Sequence, residues 1–335
     1  MRIALDVMGG DYAPQNNMEG AKLALADFDK LEKLFLVGQE DAIRGEMKRL
    51  NLTDPRIEIV PASQVIVMSD PSTDAVRKKK DSSISVAVNL VKSGIAQAVV
   101  SPGHTGASVA SSTLTLGRIA GVQRPGIASH IPNEHGTCIL IDAGANPEAK
   151  ADHLFQYAIM GAVYAEAIFG RVKPIIGLMS IGEEDEKGTD LTKEVFARLK
   201  ATDLNFRGNV EGTHLFQTPM DVCVCDGFIG NVVLKSCEAT AKAMFSWIKE
   251  EIQAAGILTK IGAKLARPAL RAVRDKVSDD TYGGSPLLGL RGVVIIGHGS
   301  SSPLAIKNGI RAAMEDIKHE VNPHIEERIA RYCNV

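Results

Sequence analysis

The sequence has few aromatic residues, few cysteines and almost no net charge. Phe, Trp and Tyr make up 4% of the 335 residues, and the formal net charge at pH 7 is −2. A chain that is not basic gives no support to nucleic acid as a partner. The five cysteines are odd in number and widely scattered, which favours buried core residues over a disulfide framework or a redox site.

The sequence also lacks long apolar runs and targeting signals. No run is long enough to span a bilayer, and the N-terminal MRIALDV lacks the apolar core and the cleavage site of a signal peptide. The close spacing of His and carboxylate residues that marks a metal site is missing as well. We therefore expect a cytoplasmic protein without a bound metal.

Two nucleotide-binding patterns are absent. A fold that binds a nicotinamide dinucleotide requires the pattern GxGxxG after the first strand. The segment DVMGGDYAP instead has Asp11 and Pro14 at positions where this pattern needs small residues. No GxxxxGK[ST] occurs either, which argues against a nucleotide triphosphate loop.

What the chain does contain is an alternation of short apolar, β-branched runs with helical stretches. The 31 glycines and many small residues are typical of parallel-sheet α/β proteins. Helical periodicity is clearest over 152–169, which Gly170 ends, and over 190–200. We predict a three-layer α/β/α fold with a mostly parallel sheet. Residues 1–335 are expected to form a single unit, which can consist of two lobes around a cleft. The predicted strands lie within 2–7, 34–38, 56–62, 96–103, 126–132, 137–144, 175–182, 221–227 and 293–299.

The segment 253–277 departs from this alternation. An apolar stripe lies opposite a row of Lys and Arg, and Pro268 predicts a kink or a division into a helical hairpin. This pattern has two interpretations. The segment is either a surface helix packed on the body of the protein or half of a dimer interface, or it contacts an anionic membrane or an acidic protein. The candidate membrane-contact residues are Ile257, Leu258, Ile261 and Leu265.

Six strand ends carry glycine together with small polar or charged residues. Backbone N–H groups at such turns and at helix starts bind anions, so we expect the six ends to meet at one cleft for a small anion. The loops are MGGD (8–11), SPGHTGA (101–107), DAGAN (142–146), SIGEEDEKGT (180–189), DGFIGN (226–231) and GHGSSSP (297–303).

These loops, with several further blocks, resemble the bacterial phosphate acyltransferases of phospholipid synthesis over nearly the whole chain. The further blocks are RKKKDSS (77–83), GNVEG (208–212) and YGGSPLLGL (282–290). Two of the blocks depart from the family pattern. The loop that usually reads SAGNTGA has Pro102 and His104, and Ser180 stands where the family has Asn.

The resemblance implies transfer of a fatty acyl group from acyl carrier protein to inorganic phosphate, without a cofactor. The acyl phosphate product would serve a downstream glycerol 3-phosphate acyltransferase at the membrane surface, and a homodimer is expected. The resemblance also implies a fold related to phosphotransacetylases and to the isocitrate and isopropylmalate dehydrogenase group. A short-chain phosphotransacetylase that uses coenzyme A and a non-catalytic, lipid-responsive scaffold are the alternatives.

This reaction needs anion capture, alignment and oxyanion stabilisation rather than a strong acid or base. We assign Lys187 and Lys235 to phosphate or oxyanion charge, although both can equally be solvated side chains. Orientation is assigned to Asn146 and Asn231, and proton transfer to His298, which can also be a structural hydrogen-bonding residue. The phosphate cradle is assigned to Gly9, Gly10, Gly297, Gly299, Ser300 and Ser301, with Asn146.

Other polar residues have expected supporting roles. Four aspartates near one dianion would repel it, so capping of helix and loop amides is the better interpretation for them, and His104 is expected to act by hydrogen bonding. These loop-organising residues are Asp6, Asp11, Asp142, Asp226 and His104. Contact with the acyl chain or the carrier protein is assigned to Arg77, Lys78, Lys79, Tyr282, Leu287 and Leu288, for which a solvated face and core packing are the alternatives.

Overall fold

The β-branched runs of the sequence form one sheet whose strands are apolar on both faces. The computed structural model describes residues 1–67 and 69–333. In β1, Ile3 and Leu5 pack on one side of the sheet, and Ala4 packs on the other side. Strands covered on both faces need apolar residues at every position, which explains the continuous rather than alternating runs.

The described residues contain an 11-stranded sheet. Its strands are β1 (Arg2–Asp6), β2 (Lys33–Gly38), β3 (Ile57–Pro61), β4 (Ala98–Ser101), β5 (Gly126–Asn133), β6 (Gly136–Ile141), β7 (Ile176–Met179), β8 (Phe206–Val210), β9 (Val222–Val224), β10 (Ser285–Leu288) and β11 (Val293–Ile296). The helices are α1 (Gln15–Asp27), α2 (Glu40–Arg49), α3 (Ser72–Lys78), α4 (Ser83–Lys92), α5 (Thr105–Leu116), α6 (Ala151–Phe169), α7 (Asp190–Lys200), α8 (His214–Gln217), α9 (Gly227–Ala254), α10 (Ile257–Val277), α11 (Asp279–Tyr282), α12 (Pro303–Lys318) and α13 (Val321–Cys333).

Helices cover both faces, which confirms the predicted three-layer architecture. One face carries α1, α2 and α12 on the first half of the sheet and α6, α7 and α13 on the second. The opposite face carries α3, α4 and α5 on the first half and α8 and α9 on the second. Helix α7 has the predicted bounds, and α6 ends where Gly170 adopts a left-handed conformation with φ 63°.

The strand order is β3-β2-β1-β4-β11-β10-β5-β6-β9-β7-β8. The two outer groups of strands are parallel within themselves, but β10 is antiparallel to both β11 and β5, and β5 is antiparallel to β6. Three successive reversals make the two parallel groups run in opposite directions. The carboxyl ends of β1, β4 and β11 therefore lie at one edge of the sheet, and those of β6, β7 and β9 lie at the other.

This arrangement corrects the expectation that all six glycine loops meet at one cleft. Loops 8–11, 101–107 and 297–303 follow β1, β4 and β11, whereas loops 142–146, 180–189 and 226–231 follow β6, β7 and β9. The expectation assumed that the sheet was parallel throughout. It is wrong because β5 and β10 reverse the direction of the chain between the two halves.

The segment 253–277 is not itself a hairpin. The turn lies at Ala255 and Gly256, so α9 and α10 together form the helical hairpin, and α10 continues through Pro268. Proline leaves the carbonyl of Lys264 without its helical donor. No residue of α10 is buried, so water can satisfy that carbonyl and the helix is not divided.

No helix within 1–67 and 69–333 combines the length and the apolar character that crossing a membrane requires.

The close contact between α1 and α12 predicts a strong effect of one methyl group. A Cβ at Gly20 would lie 2.8 Å from the carbonyl oxygen of Pro303 and would clash with Ile306. We expect Gly20→Ala to lower the free energy of unfolding by about 1–3 kcal/mol, because two packed helices must separate. Urea denaturation of the purified protein measures this change.

The matched control is Gly45→Ala in α2, where an added Cβ meets nothing within 4 Å. Alanine has a higher helix propensity than glycine, so we expect this variant to raise the free energy of unfolding by about 0.5–1 kcal/mol. Equal unfolding midpoints for the two variants would contradict the packing that we describe.

Candidate active site

Three glycine loops meet at the edge formed by the carboxyl ends of β1, β4 and β11. The N–H of Asp11 donates to the carbonyl of Gly299 at 2.7 Å, and the N–H of Gly297 donates to that of Ser101 at 2.9 Å. A Cβ on Gly10, whose φ is 96°, would lie 2.9 Å from the carbonyl oxygen of Gly299. Glycine is therefore required there both for the backbone conformation and for the close approach of the loops.

A buried carboxylate supports these loops from below. Asp6 lies at the end of β1, and its Oδ2 accepts the hydroxyl of Ser101 at 2.8 Å, while its Oδ1 accepts the N–H of Met8 at 3.3 Å. The side chain of Ser83 also hydrogen-bonds to this carboxyl group. Burial raises the pKa of Asp6, although the hydrogen bonds that its carboxyl group accepts act in the opposite direction.

Two neighbouring asparagines of α1 hold the same loops, and sequence reasoning missed both. Asn17 donates from Nδ2 to the carbonyls of Val7 and Gly9, each at 2.8 Å. Asn16 donates to the carbonyl of Ser301 at 3.0 Å. A signal was present in the sequence, since Asn17 shares the buried face of α1 with Ala21 and Ala24, and a polar residue on such a face needs a hydrogen-bond partner.

Several backbone N–H groups at this edge have no acceptor among the described residues. They belong to Gly10, Gly299, Thr105 and Gly106. The last two form the first turn of α5, where the N–H groups of a helix are always without helical partners and the helix dipole favours negative charge. We name these groups the amide cluster, and its chemistry is that of an anion-binding site.

Two histidines flank the amide cluster, and their hydrogen bonds define their tautomers. The Nδ1 atom of His298 accepts the backbone N–H of Ser300 at 3.2 Å and lies 2.7 Å from the Ser300 hydroxyl. His104 is the N-cap of α5, and its Nδ1 accepts the N–H of Ala107 at 3.3 Å. A backbone N–H can only donate, so Nδ1 is unprotonated and Nε2 carries the proton in each neutral ring.

The two serines assigned to the cradle use their donors within the loop. Both the N–H and the hydroxyl of Ser301 donate to the carbonyl of His298, at 2.9 and 2.6 Å. Ser300 makes its contacts with the His298 ring. In this conformation the two serines shape the loop, and the amide cluster offers the unpaired donors.

The other edge of the sheet contains the remaining residues assigned to the site. Asp142 accepts the N–H groups of Ile127, Gly144, Ala145 and Asn146 at 2.7–3.0 Å. Burial raises the pKa of Asp142, although these N–H groups act in the opposite direction. Asn146 donates to the carbonyl of Pro125 at 2.6 Å and to the hydroxyl of Tyr157 at 2.7 Å. The side chains of Asp142 and Asn146 thus hold their own loop together.

The start of α9 lies beside this loop. Asp226 caps the helix by accepting the N–H groups of Phe228 and Ile229, both at 2.9 Å. Asn231 is exposed, and its side chain lies against Gly144. Lys235 is also exposed and pairs with Glu238 at 2.8 Å.

Lys187 is exposed in the loop that follows β7, where its N–H donates to the carbonyl of Glu184 at 3.0 Å. The structure therefore does not bring Lys187 or Lys235, nor Asn146 or Asn231, to the edge that carries the amide cluster.

The residues assigned to acyl or carrier contact separate into two groups. Arg77 and Lys78 are exposed at the end of α3, which packs on α5, whereas Lys79 pairs with Asp70 at 2.6 Å. Leu287 and Leu288 are buried and pack on opposite faces of the sheet. For these leucines the structure shows core packing.

Tyr282 also has a packing role. Its ring stacks on that of His130, with the centroids 4.9 Å apart and an angle of 13° between the planes. Burial lowers the pKa of His130 to about 4, so this ring is neutral near pH 7.

The mixed sheet with helices on both faces is a known α/β fold. The structure resembles a phosphotransacetylase from Streptococcus pyogenes, with a TM-score of 0.60 and 19% identity over 95% of this chain and 94% of the other. It also resembles the EutD phosphotransacetylase from Staphylococcus aureus, with a TM-score of 0.55 and 18% identity over 94% of each chain. These likenesses show that the fold is that of the phosphotransacetylases.

Sequence similarity then identifies the family. Residues 1–324 match the family model described as fatty acid synthesis protein. A phosphate acyltransferase from Akkermansia muciniphila is 52% identical over 99% of this chain and 96% of its own length, and one from Pelotomaculum thermopropionicum is 46% identical over 98% and 95%. The chain belongs to the phosphate acyltransferase family, and it is an acyltransferase.

The tautomers of the two histidines can be tested directly. We expect long-range ¹H–¹⁵N NMR spectra near neutral pH to show unprotonated Nδ1 and protonated Nε2 for both His104 and His298, because each Nδ1 accepts a backbone N–H. His104→Asn and His298→Asn assign the signals. A protonated Nδ1 in either ring would contradict the hydrogen bonds described above.

Proposed function

We propose that this acyltransferase moves a fatty acyl group from acyl carrier protein to inorganic phosphate. The observation that carries the proposal is the amide cluster, in which the unpaired N–H groups of Gly10, Gly299, Thr105 and Gly106 lie at one edge together with two histidines. Such donors match the oxygens of a small tetrahedral anion. The family to which the chain belongs is named for phosphate as the acyl acceptor, which agrees with this site.

The reaction joins a phosphate oxygen to the thioester carbonyl carbon, and the carbon–sulfur bond then breaks. Phosphate is already anionic near neutral pH, and a thiol with a pKa of about 8.5 leaves readily as a thiolate. The enzyme must therefore align the two reactants and stabilise the oxyanion of the tetrahedral intermediate. The Nε2–H groups of His104 and His298 act as neutral hydrogen-bond donors in this proposal, and neither ring removes a proton from phosphate.

A basic surface next to the amide cluster supports a carrier protein as the acyl donor. Arg77, Lys78 and Lys80 are exposed at the end of α3, and α3 packs on α5, whose first turn contributes two of the unpaired N–H groups. An acidic carrier protein that docks on these side chains would bring its thioester toward the cluster.

The proposed donor and acceptor predict a specific product. Incubation of the purified protein with palmitoyl carrier protein and phosphate should give palmitoyl phosphate, which hydroxylamine traps as a hydroxamate. Formation should saturate with phosphate, because the anion must occupy the amide cluster before it attacks the carbonyl.

Acetyl coenzyme A in place of the carrier thioester is the control for the phosphotransacetylase alternative. Equal turnover of the two donors would favour that alternative. Thioester loss that does not depend on phosphate, or an absence of hydroxamate, would overturn the proposed function.

Helix α10 supports contact with a membrane surface. Ile257, Leu258, Ile261 and Leu265 form an apolar stripe, and Leu258 and Leu265 have 82% and 78% of their surface exposed. Lys260, Lys264, Arg267 and Arg271 lie among these positions and are also exposed. An exposed amphipathic helix with basic residues is suited to the interface of a bilayer with anionic lipids.

The membrane proposal predicts that two substitutions abolish lipid binding. Leu258→Glu together with Ile261→Glu should prevent sedimentation with phosphatidylglycerol vesicles, because two carboxylates replace apolar side chains on the stripe. Turnover of a water-soluble acyl donor should persist, since α10 contributes no residue to the amide cluster. Sedimentation assays and hydroxamate assays on the same preparation measure both properties.

Val172→Glu is the matched control, because Val172 is 90% exposed and lies outside the hairpin. Retained sedimentation of the double variant, or equal loss in the control, would end the membrane proposal.

The product and the exposed surfaces suggest where the reaction belongs. An acyl phosphate is an activated acyl group that a nucleophilic acceptor consumes, and we propose that this acceptor is the hydroxyl group of glycerol 3-phosphate in phospholipid synthesis. Release at a membrane surface would shorten the path to the downstream acyltransferase.

We propose that the enzyme is a homodimer. Helix α9 carries exposed apolar side chains that can bind a second copy of the chain, namely those of Phe228, Val232, Met244 and Trp247.

A further inference from the structure

The segment between α10 and β10 is attached to the first turns of α12. The side-chain amide of Asn308 donates to the carbonyl of Asp280 at 2.7 Å, and Arg311 donates to the carbonyl of Thr281 at 3.0 Å. Gly283 lies directly against Gly309, where a Cβ on either residue would be too close to the backbone of the other. These contacts hold the backbone of residues 280–283, which we call the strap.

One side-chain contact of the strap reaches the start of α12. The hydroxyl of Ser302 donates to Oδ1 of Asp280 at 2.6 Å, and the same hydroxyl oxygen accepts the N–H of Ala305 at 3.2 Å. Ser302 is the N-cap of α12. Because a hydroxyl has a single proton, donation to Asp280 leaves its lone pairs directed at the helix N–H groups.

The position of Ser302 matters for the amide cluster. It follows Ser301 directly, and Gly299 lies three residues before it in the same loop. The carbonyl of Ser301 is held by Asn16 from α1 at 3.0 Å. Within this loop, the N–H and the hydroxyl of Ser301 donate to the carbonyl of His298, which belongs to the same peptide unit as the Gly299 N–H. The far end of the loop is held by Asn16 and by the contact that passes through Ser302 to Asp280.

We propose that Asp280 is a positioning residue of the phosphate site. Its carboxylate orients the hydroxyl of Ser302, which fixes the first turn of α12 and thereby the direction of the Gly299 N–H. Asp280 does not contact the substrate in this proposal. The inference rests on the proposed function, because it assumes that phosphate occupies the amide cluster.

The test is a comparison of the Michaelis constants for the two substrates. Asp280→Ala should raise the phosphate KM about five- to tenfold, the size of effect that loss of an N-cap interaction produces. The KM for the carrier thioester should change less than twofold. Asp280→Asn keeps an acceptor oxygen for the Ser302 hydroxyl and should restore most of the phosphate affinity.

A double-mutant cycle identifies the path of the effect. If Asp280 acts through Ser302, the variant with Asp280→Ala and Ser302→Ala should have the same phosphate KM as Ser302→Ala alone. Arg311→Ala is the matched control, because it removes the contact of the strap at the carbonyl of Thr281 and leaves the contacts of Asp280 and Ser302 in place. This control should lower the thermal midpoint at least as much as Asp280→Ala, while its phosphate KM stays unchanged.

Failure of the inference is distinguishable from failure of the proposed function. If the wild-type protein forms no acyl phosphate, the proposed function fails and the phosphate KM has no meaning. If the wild type is active but Asp280→Ala leaves the phosphate KM unchanged, the positioning role is overturned. Equal increases for Asp280→Ala and Arg311→Ala, or additive effects in the cycle, would also overturn it.

Discussion

The reversal of chain direction at β10 and β5 determines which parts of this protein lie together. Leu287 and Leu288 pack on opposite faces of the sheet, where each belongs to a different hydrophobic cluster. A register slip of one residue would exchange these faces and disrupt the packing on both sides. Burial therefore fixes the register of β10, and the antiparallel pairing of β10 with β11 and β5, and of β5 with β6, gives the two parallel groups their opposed directions. As a result, the three glycine loops that follow β1, β4 and β11 lie at the same edge of the sheet, and their unpaired backbone N–H groups form the amide cluster.

The class of fold could be predicted well from the sequence, because the patterns that indicate strands and helices involve residues that are close together in the chain. Apolar β-branched runs located nine of the eleven strands of the described residues, although several predicted segments ran on into the turn that follows the strand, and they missed β8 and β10. Helical periodicity located α6 and α7 to within a residue. Strand direction is a different kind of property, since it depends on pairing between distant segments. One signal was nonetheless present: only Glu134 and His135 separate β5 from β6. A connection of two residues permits an antiparallel hairpin, whereas parallel neighbours need a crossover of a dozen or more residues.

The candidate site was predictable in its loops but not in its donors. Glycine turns at strand ends are visible in a sequence, and they pointed correctly to residues 8–11, 101–107 and 297–303 as loops with exposed backbone. Which N–H groups remain unpaired depends on contacts such as that between Asn16 and Ser301, which are 285 positions apart. Sequence spacing gives no indication of such a pair. The tautomers of His104 and His298 likewise follow from backbone geometry, which composition does not reveal.

The amide cluster consists of neutral backbone N–H groups, and this has a chemical consequence. A cation paired with phosphate would stabilise the bound anion and lower its nucleophilicity, so part of the binding energy would be lost again as the carbonyl is attacked. Neutral N–H donors bind phosphate less strongly, but they can also stabilise the oxyanion that forms on the thioester carbonyl. Basic side chains are instead exposed on α3, where they can attract an acidic carrier protein without contacting the nucleophile.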